Sequence, residues 1–191
     1  EKGEDPYDLY LNKEYDYCFR YSEQIDTMVV STQEQKRELA EKLLEYRCSV
    51  PNIAVIPAGG IECLRRPEGK RRPCSLISVS RIDRRKRIDW LIKSVVKAHQ
   101  VNPDIFIDIY GRDDGHLGEL KKLVSQNQAE SYIHFMGWAD MTEVYKNYQV
   151  YITSSLLETL GLSLMEAVAS GAAMIGLDVK YGNRLFIRSG E

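Results

Sequence analysis

Short apolar runs recur along this chain, and between several of them the apolar positions switch to a helical period. The runs are Asp26–Ser31 (DTMVVS), Pro51–Pro57 (PNIAVIP), Cys74–Ser80 (CSLISVS), Asp104–Tyr110 (DIFIDIY), Tyr132–Met136, Val150–Thr153 and Ala172–Leu177 (AAMIGL). Their lengths and β-branched content predict buried strands. Lys86–Gln100 carries Ile88, Leu91, Ile92 and Val95, the i, i+3, i+4, i+7 stripe of an amphipathic helix. Helices are also predicted in QKRELAEKLLEY, where Leu39, Leu43 and Leu44 have helical spacing, and at Leu117–Asn127. A short helix is expected at Met141–Tyr148, and another at Leu162–Ser170 with Gly171 in the C′ position. Ser31 with Glu34, or Thr32 with Gln35, forms a capping box that starts the first of these helices. Residues 1–25 are rich in Tyr and acidic side chains and show no clear period.

Strands that alternate with helices of this size imply a parallel sheet covered on both faces. Residues 74–191 therefore read as an α/β unit of Rossmann-like, doubly wound type. Residues 26–60 read as a separate β-α-β piece. Between them Arg65–Pro73 (RRPEGKRRP) combines Pro, Gly and five basic side chains, which predicts a linker and the domain boundary. The same composition is ordinary for a solvated loop. The second unit stops at Ser189-Gly190-Glu191 without a predicted closing helix, so it reads as truncated at its end.

Charge narrows the possible partners. With 26 basic and 28 acidic side chains the net charge is -2, which does not suit a nucleic-acid binder. No apolar run approaches the ~20 residues that cross a bilayer. The first ten residues lack the basic and apolar regions of a signal peptide. A cytoplasmic protein is expected, with peripheral membrane association left open. Cys18, Cys48, Cys63 and Cys74 form no CxxC pair and have no His close by, so reduced thiols without a metal are expected.

In an open parallel sheet, ligands bind beyond the carboxyl ends of the strands. Those ends carry Arg81 and Lys86, then Gly111, Asp113 and Asp114, then Gly137 and Trp138, then Ser154, Ser155 and Glu158. A dinucleotide GxGxxG, a P-loop and a GxSxG elbow are all missing. His99, His116 and His134 have no paired nucleophile and read as surface or packing residues. The most informative stretch is SSLLETLGLSLMEAVASG, residues 154–171. There Glu158 in a loop and Glu166 in a helix flank the turn Gly161-Leu162-Ser163-Leu164. Glycine allows close backbone approach, and the helix start offers unpaired N–H groups to a phosphate. Acidic residues near a helix start also suit any helix. Arg81 and Lys86 leave the first strand at the same rim, where two cations can neutralise a diphosphate.

Together the S-R-x4-K at Ser80–Lys86 and the E-x7-E at Glu158–Glu166 resemble the C-terminal half of the GT-B fold in family-4 retaining glycosyltransferases. The phrases VVSTQEQ, VIPAGGI, SRIDRRKRIDWLIKSV, LMEAVASG and DVKYGNRLFI are similar to one group, the bacterial accessory-Sec glycosyltransferases of serine-rich repeat adhesins. Wall teichoic acid glycosyltransferases are the next resemblance. The resemblance implies that Arg81 and Lys86 hold a donor diphosphate and that Glu158 faces the donor sugar. It places the turn Thr159, Leu160, Gly161, Leu162, Ser163 and Leu164 against sugar and phosphate, Glu166 on the ribose hydroxyls, and Gly111 at the nucleotide base loop. It implies a UDP-sugar as co-substrate, N-acetylglucosamine as the sugar and Ser/Thr of a serine-rich protein as acceptor. No metal is implied, and a homologous non-catalytic partner subunit is. Residues 1–64 then become a remnant of the N-terminal acceptor domain, 65–73 the linker and 74–191 the nucleotide-sugar domain.

Three positions depart from the family pattern. Thr159-Leu160 stands where Gly-Phe is usual, and Arg85 stands where an acidic residue usually precedes the lysine. A chain that has lost the acceptor-side residues would bind UDP weakly and transfer nothing alone. Rival readings are an inactive paralogue that acts as a binding or chaperone subunit, and a sugar-nucleotide epimerase of similar shape.

Overall fold

A computed structural model describes residues 13–57, 59, 70–179 and 181–187. Contacts divide the chain into two compact units, Glu1–Gly59 and Gly60–Glu191. The predicted linker at 65–73 lies outside the described residues up to position 69.

In the first unit, helix α1 spans Lys13–Arg20 and is followed by a 3-10 turn at Ser22–Gln24. The sequence pattern predicts neither. This stretch lacks aliphatic residues, so tyrosine and phenylalanine contacts stand in for an aliphatic stripe. The Tyr17 and Tyr21 rings lie 4.6 Å apart, and Phe19 lies 6.2 Å from Tyr46. Strand β1 (Thr27–Val30), helix α2 (Gln33–Glu45) and strand β2 (Asn52–Val55) form the expected β-α-β piece. β1 and β2 pair in parallel, from Thr27 opposite Asn52 to Val30 opposite Val55. Of the two candidate capping boxes, Thr32 with Gln35 is the one that forms. The Thr32 hydroxyl accepts from the Gln35 amide at 3.1 Å, and Gln35 Oε1 accepts from the Thr32 amide at 3.2 Å. Leu43 of α2 is fully buried.

The second unit opens with β3 (Ser75–Val79), α3 (Ile88–Val101), β4 (Phe106–Tyr110), α4 (Leu117–Gln126) and β5 (Ile133–Gly137). It continues with β6 (Val150–Thr153), α5 (Leu162–Ala169), β7 (Ala173–Gly176) and α6 (Gly182–Phe186). All five strands are parallel in the order β5-β4-β3-β6-β7. Alternation along the strands divides the core. Ile107 and Ile109 of β4 join Ile88, Leu91, Ile92 and Val95 of α3 and Leu120 and Val124 of α4. Ile77, Tyr110 and Tyr151 join Tyr145, Tyr148, Leu164 and Ala167 in a second cluster. Period-two strands feed both clusters, which is the doubly wound arrangement expected. Each fully buried Ile or Leu contributes about 1.5–3 kcal/mol.

Three local differences from the sequence expectation matter. Lys86 precedes α3 instead of opening it. Arg84–Lys86 is a 3-10 turn, and Arg87 is left-handed at φ 48° before the helix begins. The helix expected at Met141–Tyr148 contracts to a 3-10 turn, Tyr145–Asn147. Asp140 draws the Thr142 amide (3.0 Å) and hydroxyl (2.8 Å) into a local turn, which competes with helix formation. Tyr145 and Tyr148 are then buried at the i, i+3 spacing of a 3-10 turn. Finally, α6 follows β7, where no helix was expected.

The end of the basic run is bound to this unit. Arg71 donates to the carbonyls of Tyr148, at 2.8 Å, and of Ser170. Arg72 reaches Asp108 at 3.3 Å and stacks 4.2 Å over the Phe106 ring. The histidines pack as expected. His99 stacks on Tyr132 and His134 Nδ1 lies 2.7 Å from Asp108. Among the described residues Cys18, Cys48 and Cys74 are free, and no helix is long and apolar enough to cross a membrane.

Candidate functional site

Strand order locates the crevice. The chain leaves β3, adds β4 and β5 on one side, then returns to place β6 and β7 on the other. The carboxyl ends of β3 and β6 are therefore the topological switch point, where ligands of such sheets bind. The loop after β3 carries Arg81 and Lys86, and the loop after β6 carries Glu158.

Asp83 builds the first loop. Its Oδ1 accepts from the amides of Arg85 (2.9 Å) and Lys86 (3.3 Å), which fixes the turn that presents Lys86. Its Oδ2 accepts from Arg85 at 3.1 Å and faces Arg81 Nη2 at 3.5 Å. Burial raises the Asp83 pKa, but the hydrogen bonds from Arg85 and the charges of Arg85 and Arg81 outweigh it, so the net shift is downward. Arg81 also donates to Asp114 at 3.1 Å and stays more than half exposed.

The two loops meet at an ion pair. Lys86 Nζ donates to Glu158 Oε1 at 2.7 Å, with side chains only 18% and 17% exposed. Ser154 reinforces the junction by donating to the Lys86 carbonyl at 2.9 Å. Behind Glu158, its carbonyl accepts from the Gly182 amide at 2.8 Å. A Cβ on Gly182 would stand 2.8 Å from the Leu160 carbonyl group, so only glycine lets α6 start this close.

Gly161 then turns the chain into α5 at φ 71°. No side chain caps α5 and no acidic residue sits in its first turn. Its positive end is therefore open to an anion. The start of α4 differs. Asp113 closes the start of α4 by accepting from the amides of Gly115, His116 and Leu117.

Ser163 and Glu166 share one face of α5, and each is held by a buried tyrosine. Tyr151 OH lies 2.9 Å from Ser163 Oγ, and Tyr145 OH donates to Glu166 Oε2 at 2.8 Å. Burial pushes both phenols far above their usual range, so they remain protonated. Gly111 ends β4. Its amide donates to the Gly137 carbonyl at 2.8 Å, and a Cβ there would fall 1.7 Å from the Ser80 carbonyl oxygen.

Of the expected residues, the structure brings Lys86 and Glu158 into contact and links Arg81 to the Lys86 turn through Asp83. It presents Thr159 and Leu162 to solvent. The side chains of Leu160 and Leu164 are interior, so any ligand contact there belongs to the backbone. Asp83, Tyr145 and Tyr151 were not singled out in the sequence, and Gly182 stood out only within the phrase DVKYGNRLFI. An Asp just before a basic turn is a capping signal that could have found Asp83. The tyrosines carry no such local signal.

A cavity of about 380 Å³ lies elsewhere, between Arg84, Arg87, Asp89, His116 and Glu119. Its polar walls pair with each other, Arg84 and His116 with Glu119 and Arg87 with Asp89. The switch point, with an open helix start and two cations, is the better candidate. Among the described residues no three His, Cys, Asp or Glu are grouped to hold a metal.

The UDP-N-acetylglucosamine--peptide N-acetylglucosaminyltransferase GtfA subunit of Streptococcus pneumoniae serotype 4 is 42% identical over 180 residues, which are 94% of this chain and 36% of that protein. A crystal structure of the pneumococcal O-GlcNAc transferase GtfA, in complex with UDP and GlcNAc, matches with a TM-score of 0.89 at 42% identity, over 94% of this chain and 35% of that one. A crystal structure of a GtfA/B complex matches at 0.81 and 40% identity, over 94% and 35%. TarM matches at 0.84 over 100% of this chain and 36% of that one, and at 22% identity it speaks for the fold alone. The chain thus spans about a third of the length of the relatives it matches. A model of the family Glycosyl transferases group 1 matches residues 73–191, the unit that holds both cations and both glutamates, and this chain belongs to that family.

Proposed function

We propose that this chain supplies the nucleotide-sugar half of a retaining hexosyltransferase that moves N-acetylglucosamine from a UDP-sugar to Ser or Thr of a serine-rich protein. The observation that carries this reading is the Lys86–Glu158 pair at the switch point, beside the uncapped start of α5. The activity of the GtfA relatives supports the sugar and the acceptor class.

The chemistry follows from charge. As the glycosidic bond breaks, negative charge grows on the leaving diphosphate. Arg81, Lys86 and the α5 dipole are fixed in place before the reaction and stabilise that charge, the role a divalent metal has in other transferases. Glu158 keeps Lys86 oriented until the phosphate arrives and then turns its carboxylate to the sugar. Attack on the face that the diphosphate leaves retains the anomeric configuration. Glu166 receives the ribose hydroxyls, and Gly111 opens room at the base.

The same reading assigns residues 1–64 to the acceptor domain and 65–73 to the linker. The contact division at Gly59 and the family match from residue 73 favour it. A homologous partner subunit is part of the proposal, in line with the GtfA/B complex, and so is a cytoplasmic location.

In the intact protein, Lys86→Ala and Glu158→Ala are each expected to lower turnover by about two to three orders of magnitude, the usual effect of losing one preorganised group. Turnover within a few-fold of wild type for both variants sinks the assignment. Calorimetry with UDP separates an inactive binding paralogue, which gives no heat beyond dilution. Product analysis without acceptor separates an epimerase.

A further inference from the structure

A fully buried phenol needs an acceptor, and a backbone carbonyl is the least demanding one. Tyr151 has that option in Val79, whose carbonyl lies 3.2 Å from its hydroxyl. Tyr145 does not use a carbonyl. It is fully buried in the 3-10 turn after β5, with its ring 6.4 Å from Tyr151, and its hydroxyl goes to the carboxylate of Glu166. A charged acceptor shortens and strengthens such a bond. Glu166 is only partly buried, and its other oxygen, Oε1, has no hydrogen bond among the described residues. A carboxylate fixed through one oxygen presents the other in a single orientation.

We propose that Tyr145 is a positioning residue for nucleotide recognition: by holding Oε2 of Glu166, it aims Oε1 at the ribose 2′-hydroxyl and so sets the preference for a ribonucleotide. This rests on the proposed contact between Glu166 and ribose. Tyr145 itself touches no ligand, and its hydroxyl stays protonated throughout. Its contribution is to spare Glu166 the loss of rotamer freedom on binding.

The test compares UDP with 2′-deoxy-UDP by isothermal titration calorimetry on the intact protein. The wild type is expected to prefer UDP by about tenfold or more, the worth of a hydrogen bond to a charged group. Glu166→Ala should bring that preference close to one. Tyr145→Phe removes one oxygen and keeps the ring. It should cut the preference several-fold while leaving 2′-deoxy-UDP affinity unchanged. If Glu166→Ala abolishes the preference and Tyr145→Phe keeps it, Tyr145 is structural only and the proposal is overturned. Equal weakening of both nucleotides by Tyr145→Phe overturns it too. A preference that survives Glu166→Ala instead removes the underlying ribose contact. Glu166→Asp is a second probe that leaves Tyr145 intact. It draws the carboxylate one methylene back from the phenol and should lose the preference as Tyr145→Phe does; full preference in this variant counts against the proposal.

Discussion

Asp83 is a single carboxylate that serves two cations, and its charge is the reason the first loop has one shape. Its pKa lies below the ordinary aspartate value, so the folded state releases its proton at lower pH than the unfolded state does. The sign follows from this. Its contribution to stability is complete above the unfolded pKa of about 3.9 and fades as pH falls through the lower folded value. Asp83→Asn keeps a side-chain oxygen for the Lys86 amide but loses attraction to Arg81 and Arg85. The gap in melting temperature between wild type and Asp83→Asn should therefore be widest near pH 6 and close towards pH 3. Thermal melts across that range check it, and a constant gap would remove the charge from the explanation. The Lys86–Glu158 pair is more sensitive, because both side chains are largely out of water. Deleting either partner leaves the other charge stranded, at about 3–5 kcal/mol. Stability must therefore be measured beside turnover in both variants. How much of this was legible differs by residue. Arg81, Lys86, Glu158 and Glu166 stood out through their spacing. Their contacts did not, because the Lys86–Glu158 bond joins positions 72 apart in sequence.

At the level of elements, the site is a set of loop ends tied to one another. The Glu158 loop rests on the first turn of α6 through the Gly182 amide. Gly182→Ala forces a Cβ against the Leu160 carbonyl, and Glu158 Cβ is only 3.2 Å away. The loop must shift, and Glu158 with it. A clash of this kind costs about 1–3 kcal/mol. We expect turnover to fall by at least about tenfold while the native fold is kept, since a small misplacement at a reacting centre is costly. Circular dichroism and initial rates together check this, and a variant with full turnover would show that α6 does not position the loop. The sequence pattern identified α5 and its glycine start. It overlooked α6, which is a five-residue helix too short to show a period. It also placed Lys86 inside α3, because a capped 3-10 turn and the first turn of a helix present the same polar residues.

On the scale of the whole chain, the candidate site is contained in one unit, between β3 and β6 of a doubly wound sheet. The first unit adds a parallel β-α-β piece. Relatives that match nearly all of this chain are much longer, since the 180 matched residues are 36% of one of them. The 191-residue chain by itself is therefore expected to bind UDP and to transfer no sugar to a serine-rich peptide. Calorimetry with UDP and a radiolabel transfer assay test the two halves of this expectation. Transfer by the chain alone would place acceptor chemistry within these residues.

The sequence by itself determined the class of this protein. Local periods of two and 3.6 depend only on neighbouring residues, so strands, most helices and the doubly wound α/β fold could be read from it. Spacing within one loop or helix likewise identified Glu158, Gly161 and Glu166. Only the tertiary structure decided what those groups are attached to. Strand order brought β3 beside β6 and made Lys86 and Glu158 partners. Burial turned Tyr145 and Tyr151 into supports for α5. Such contacts join residues far apart in sequence, and no local pattern encodes which distant loop a side chain will meet.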